Sequence, residues 1–92
     1  MKTEIKYPLQ QVLNAVHVAY QHSAAGDNLN YVEQKSSLFA KRCMNFMKSD
    51  GLIDETTPLI TIEIPDYIVK EIAYSALDSD CESILFKQLK AK

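Results

Sequence analysis

The chain is poor in the residues that most often announce a job. It has two glycines, three prolines, two cysteines and two histidines among 92 residues. Isolated glycines exclude a glycine-rich phosphate loop, and so little glycine and proline leaves little room for a flexible linker. No apolar run approaches the ~20 residues that cross a bilayer. The opening MKTEIKYPLQQ has charge but no apolar stretch behind it, and no Asn-X-Ser/Thr site occurs. A secretory signal is therefore not expected, and a cytoplasmic location is.

Chemistry-bearing residues are equally sparse. His17 and His22 are five apart, about 140° around a helix, whereas two ligands on one helix stand at i, i+4. No metal and no cofactor are expected. Cys43 and Cys81 both fall on apolar stripes, which reads as buried free thiols, inert as nucleophiles. Nothing places either histidine beside either cysteine. Asp78, Asp80 and Glu82 cluster, but around a helix start, where acids suit the helix dipole. The expectation is a protein without enzymatic activity.

What is present is pattern. The 47% hydrophobic content belongs to a globular chain, and this length holds one domain, residues 1–92. The stretch from Asn30 to Gly51 organises the rest. Asn30 with Glu33 reads as a capping box, and Gly51 as the left-handed terminator. Val32, Ser36, Phe39, Cys43, Phe46 and Met47 share one side. Lys41 and Lys48 lie on the far side, and Lys35 and Arg42 flank the stripe.

Lys2–Tyr7 alternates weakly, with Thr3, Ile5 and Tyr7 on one side, and predicts a short edge strand. Pro8 opens a helix whose stripe is Leu9, Val12, Leu13, Val16 and Tyr20, ending around His22 to Ala25 with Gly26 as terminator. The polar GDNLN turn then joins two antiparallel helices. Leu59–Ile64 (LITIEI) is the best strand, with Ile60, Ile62 and Ile64 facing one way. Pro65 ends it, and Asp66 reads as the N-cap of a helix buried through Ile68, Val69, Ile72, Ala73 and Ala76. Ser79 with Glu82 reads as a second capping box, opening a last helix with Cys81, Ile84, Leu85 and Leu89 on its stripe. The predicted fold is a small α+β domain in the order β-α-α-β-α-α. Four helices pack with a two- or three-stranded sheet, the third strand being Leu52-Ile53.

The net charge of −2 hides a gradient. Six bases and four acids up to Gly51 give +2; four bases and eight acids from Leu52 onward give −4. This asymmetry directs attention to the long helix: Lys35, Lys41, Arg42 and Lys48 suit phosphates or an acidic protein surface, against the ordinary reading of a solvated charged face. Tyr67, Lys70 and Tyr74 form the outer face of the third helix, a candidate anchor set. At the tip of the helical hairpin, Asn28 and Tyr31 are candidates, Asn30 being assigned to the cap.

Phe46–Ile64, FMKSDGLIDETTPLITIEI, resembles the end of a recognition helix followed by the wing of winged-helix DNA-binding domains, through the Gly51-Leu52-Ile53 junction and the strand beyond it. That resemblance implies a DNA-binding regulator, although only two helices precede the wing where such domains have three. In size, charge asymmetry and lack of catalytic motifs, the chain is also similar to the small α+β inhibitors encoded by bacteriophages, including anti-CRISPR proteins. This second resemblance implies a stoichiometric inhibitor acting in the host cytoplasm. It would dock on a larger protein or ribonucleoprotein complex and block nucleic-acid binding, with no membrane involved. The acids at Asp78, Asp80 and Glu82 would then imitate phosphate, or the basic helix would contact guide RNA.

Overall fold

A computed structural model describes residues 5–23 and 27–90. In chain order it has β1 (Lys6–Pro8), α1 (Leu9–Gln21), α2 (Leu29–Ser49), a 3₁₀ turn (Leu59–Thr61), β2 (Glu63–Pro65), α3 (Asp66–Ala76) and α4 (Ser79–Lys90). The order β-α-α-β-α-α is as the sequence predicts. Its radius of gyration, 12.9 Å, is close to the ~12 Å of a packed single domain this long.

The core is built around α1, which packs on α2 and α4. Val12, Val16 and Ala19 are fully enclosed, with Phe39 and Cys43 from α2, Ile64 from β2, Ile68 and Val69 from α3, and Leu85 and Leu89 from α4. Leu9 and Leu13, expected on the α1 stripe, are only half-buried; Ala15 and Ala19 are buried instead. Small side chains there allow α1 a close approach to its neighbours, which distributes the long ones to its edges.

The sheet is antiparallel and two-stranded, pairing Lys6 with Pro65, Tyr7 with Ile64 and Pro8 with Glu63. Each strand runs through a proline directly into a helix. Pro8 (φ −55°, ψ 145°) and Pro65 (φ −61°, ψ 147°) have nearly the same backbone. The residue after each reaches across: the Leu9 N–H donates to the Ile62 carbonyl at 3.1 Å, and the Asp66 N–H to the Ile5 carbonyl at 2.8 Å. Proline cannot donate to the ladder, and these crossing bonds continue the pairing past it.

Several expectations are corrected. Leu59–Ile64 is not one strand. The Thr61 N–H and hydroxyl both bond the Pro58 carbonyl, and the Ile62 N–H bonds that of Leu59, so the chain turns before it extends. Ile62 and Ile64 are buried as predicted, but the turn throws Ile60 out to 94% exposure. Leu52 and Ile53 join no sheet. The wing is likewise absent, because residues 52–62 form a loop and a turn, and β2 pairs with β1. Of the described residues of the first strand, 6–8 are in the ladder and Ile5 is exposed; Lys2, Thr3 and Gly26 lie outside the described residues.

Helix starts are displaced from the sequence reading. Asn28, not Asn30, caps α2: its Oδ1 accepts from the Tyr31 N–H at 3.2 Å, and the Val32 N–H closes the first turn on its carbonyl at 3.0 Å. Asp78, not Ser79, caps α4 by accepting from the Cys81 N–H at 2.9 Å, a bond that also holds the Asp78 carboxyl below its ordinary range. Each extra residue of a formed helix gains a backbone bond, so these starts lengthen α2 and α4 beyond the sequence reading. Asp66 lies within α3 rather than capping it. Its carboxylate accepts the Tyr7 hydroxyl at 2.8 Å and pairs with Lys70 at 3.1 Å.

The other end of α2 follows expectation. Gly51 has φ 77°, and the Leu52 N–H bonds the Met47 carbonyl while the Gly51 N–H bonds that of Lys48. This pair of bonds is the Schellman stop.

Candidate interaction surface

α2 runs antiparallel to α3: Arg42 reaches Ser75 near the end of α3, whereas Phe46 and Asp50 meet Tyr67 near its start. Its inner face is buried through Val32, Ser36, Phe39, Ala40, Cys43 and Met47. Ser36, the polar member, donates its hydroxyl to the Val32 carbonyl at 2.8 Å and so brings no unsatisfied group into the core. The outer face carries the cations.

Those cations separate into two rows about 100–140° apart around the helix. Lys35 and Arg42 face α3. The Lys35 ammonium stands 5.6 Å from the centre of the Tyr31 ring, within cation–π range. Tyr31 itself is half-buried, edge-on to Tyr20. The Arg42 Nη2 donates to the Ser75 hydroxyl at 2.8 Å, and that hydroxyl donates to the Ile72 carbonyl at 3.1 Å. Lys41 and Lys48 are exposed on the other side, beside a groove floored by Met44, Ile53, Leu59 and Ile62 and bordered opposite by Asp54 and Glu55. Among the described residues none of the four pairs with a carboxylate; the ion pair there is Lys70–Asp66.

Between the rows stands Leu38, 48% exposed. Lys35, Lys41 and Arg42 surround it at i−3, i+3 and i+4, the positions that are neighbours on a helix surface. Sequence reasoning passed over this residue because it lies off the buried stripe. An apolar side chain at the centre of a polar face was the signal available.

The remaining candidates divide by what already holds them. The Asn28 side-chain oxygen is committed to the cap. On α3, Lys70 is paired with Asp66, and the Tyr67 hydroxyl bonds Asp50 at 3.3 Å with its ring edge-on to Phe46. Tyr74 is 82% exposed. The structure therefore brings Lys35 and Arg42 together along one groove, with Tyr31 against Lys35, and places Tyr74 next to the groove's Ser75 wall. Tyr67 and Lys70 lie toward the other end of α3.

Both thiols are held in the protonated form. Burial pushes Cys43 up to about 12, and burial followed by the nearby Asp78 raises Cys81; both are free and buried. Among the described residues no group of three or more His, Cys, Asp or Glu side chains could hold a metal ion, and no helix is long and apolar enough to cross a membrane. Comparison with models of known protein families, with curated proteins and with solved structures gave no match, so the reading of this surface stands on its own geometry.

Proposed function

We propose that this chain is a non-enzymatic, cytoplasmic interaction protein that docks on a larger protein or nucleoprotein complex through the outer face of α2. In keeping with its similarity in type to phage-encoded inhibitors, docking would block nucleic-acid binding without turnover. The observation that carries the reading is the exposed Leu38 ringed by Lys35, Lys41 and Arg42. An apolar centre with a charged rim is the arrangement of a binding hot spot. Leu38 contributes little to the folded chain where it stands, but gains by entering an apolar recess on a partner whose edge is acidic or carries phosphate.

The test is capture of partners from a bacterial lysate by tagged protein, with and without nuclease, alongside Leu38→Asp and Lys41→Glu variants. A defined complex that survives nuclease and is lost with Leu38→Asp is the expected result. Capture unchanged by both variants refutes the assignment of this face.

A second reading, a DNA-binding regulator, is favoured by one observation: α2 carries four cations without a carboxylate partner among the described residues. It predicts binding to free duplex that weakens as salt rises. Because the cations form two rows, about two would meet one phosphate track, giving a log–log slope of roughly −2.

A further inference from the structure

We infer that the groove between α2 and α3 receives one glutamate side chain from an acidic segment of a partner polypeptide. This rests on the docking reading above and names the chemistry it would recognise. The groove holds about 230 Å³ and contains Lys35 and Arg42, the Tyr20 and Ser75 hydroxyl residues, and apolar wall from Leu38 and Ala76.

Arg42 is pre-positioned. Its guanidinium is tied to Ser75, which is tied in turn to the backbone of α3. One of its five N–H donors makes that bond, leaving the fork able to take a carboxylate side-on. A fixed guanidinium loses less freedom on binding than a mobile one. Lys35, held over Tyr31, supplies the second positive charge.

The sequence withholds the usual internal partner. The residues three and four away from Arg42 are Leu38, Phe39, Asn45 and Phe46; those around Lys35 are Tyr31, Val32, Leu38 and Phe39. No acid occupies any position from which a helix neighbour could neutralise either cation.

Size and polarity select the occupant. Small-molecule sites run to about 300–1,000 Å³, so this groove suits a single side chain better than a nucleotide. Its apolar wall fits the methylenes of glutamate, with the carboxylate between Arg42 and Lys35.

The test uses the full chain and three labelled probes: a peptide of alternating Glu and Ala, the same peptide with Gln for Glu, and a poly-thymidylate strand. Binding is followed by fluorescence anisotropy and by ¹H–¹⁵N shift mapping. The Glu peptide is expected to bind about tenfold more tightly than the Gln peptide, with shifts at Leu38, Arg42 and Ser75. Arg42→Gln should weaken it about tenfold while the chain stays folded by circular dichroism, and Arg42→Lys should restore only part, having lost the fork.

Equal binding of the Glu and Gln peptides overturns the inference. So do shifts confined to the Lys41–Lys48 side, or tighter binding of the oligonucleotide at the same residues. If Leu38→Asp abolishes partner capture while Arg42→Gln leaves Glu-peptide affinity unchanged, the docking face stands and the glutamate assignment falls. If neither variant changes anything, both fall.

Discussion

Replacing Tyr7 by Phe isolates one contact that ties the two strand–helix junctions together. The Tyr7 ring is buried, and its hydroxyl donates to the Asp66 carboxylate at 2.8 Å. A hydrogen bond to a charged group contributes about 1.5–3 kcal/mol. Asp66 keeps Lys70 and remains partly solvated, so the low end, about 1.5 kcal/mol, is expected. For a domain this small that is a fall in Tm of roughly 6–10 °C. The same contact gives a pH signature. Burial, followed by the hydrogen bond and charge of Asp66, pushes the Tyr7 phenol up to about 12 from an ordinary 10. Below pH 10 the phenol is protonated whether the chain is folded or not, and the contribution is fully present. Above pH 10 the unfolded chain releases the proton while the folded one holds it, so stability falls as pH rises through the folded value. By pH 11 the loss from this group is on the order of 1 kcal/mol. Urea unfolding of the wild type and Tyr7→Phe at pH 8 and pH 11 measures it. The stability gap between the two should narrow by about that amount. A gap of the same size at both pH values would refute the reasoning, since lysine titration affects both proteins alike.

Asn28→Ala should cost about 1 kcal/mol through loss of the α2 cap, and Asn30→Ala nearly nothing; thermal melts followed by circular dichroism separate them, and the reverse order would restore the capping-box reading. Gly51→Ala should cost about 1 kcal/mol from backbone strain alone, because an added Cβ there meets nothing within 4 Å. In a melt, Gly51→Asn should lose less. Cys43 should resist a thiol reagent at pH 8 in the folded protein and react fully in denaturant, because burial holds its thiolate population down; rapid labelling of the folded chain would show that the α1–α2 seam opens.

Helices were legible and their surroundings were not, for physical reasons. The α2 and α3 stripes read correctly except at Phe46 and Ala76, which are half-buried, and at Ala40, which is buried, because burial on a helix repeats every 3.6 residues and survives small errors in its ends. The caps did not, because Asn28 and Asn30 are chemically equal and only the three-dimensional start of the helix chooses between them. LITIEI alternates as a strand should, yet a proline before it and a threonine able to bond back to that proline's carbonyl decided for a turn. Of the candidate surface, the cations were visible as charges at seven-residue spacing. Their division into two rows followed from the same spacing, but the Arg42–Ser75 bond spans 33 residues and no local pattern encodes it.

The paired junctions at Pro8 and Pro65 have a consequence for association. The two strand–proline–helix segments are related by a local dyad through the Tyr7–Ile64 pair, and the crossing bonds from Leu9 and Asp66 are its two equivalent halves. A contact of that symmetry is satisfied equally well when the second segment comes from another copy of the chain. The loop from Asp50 to Ile62 lets β2 fold back within one chain. Shortening it below the span it must cover would direct the same ladder, unchanged bond for bond, into an exchanged dimer.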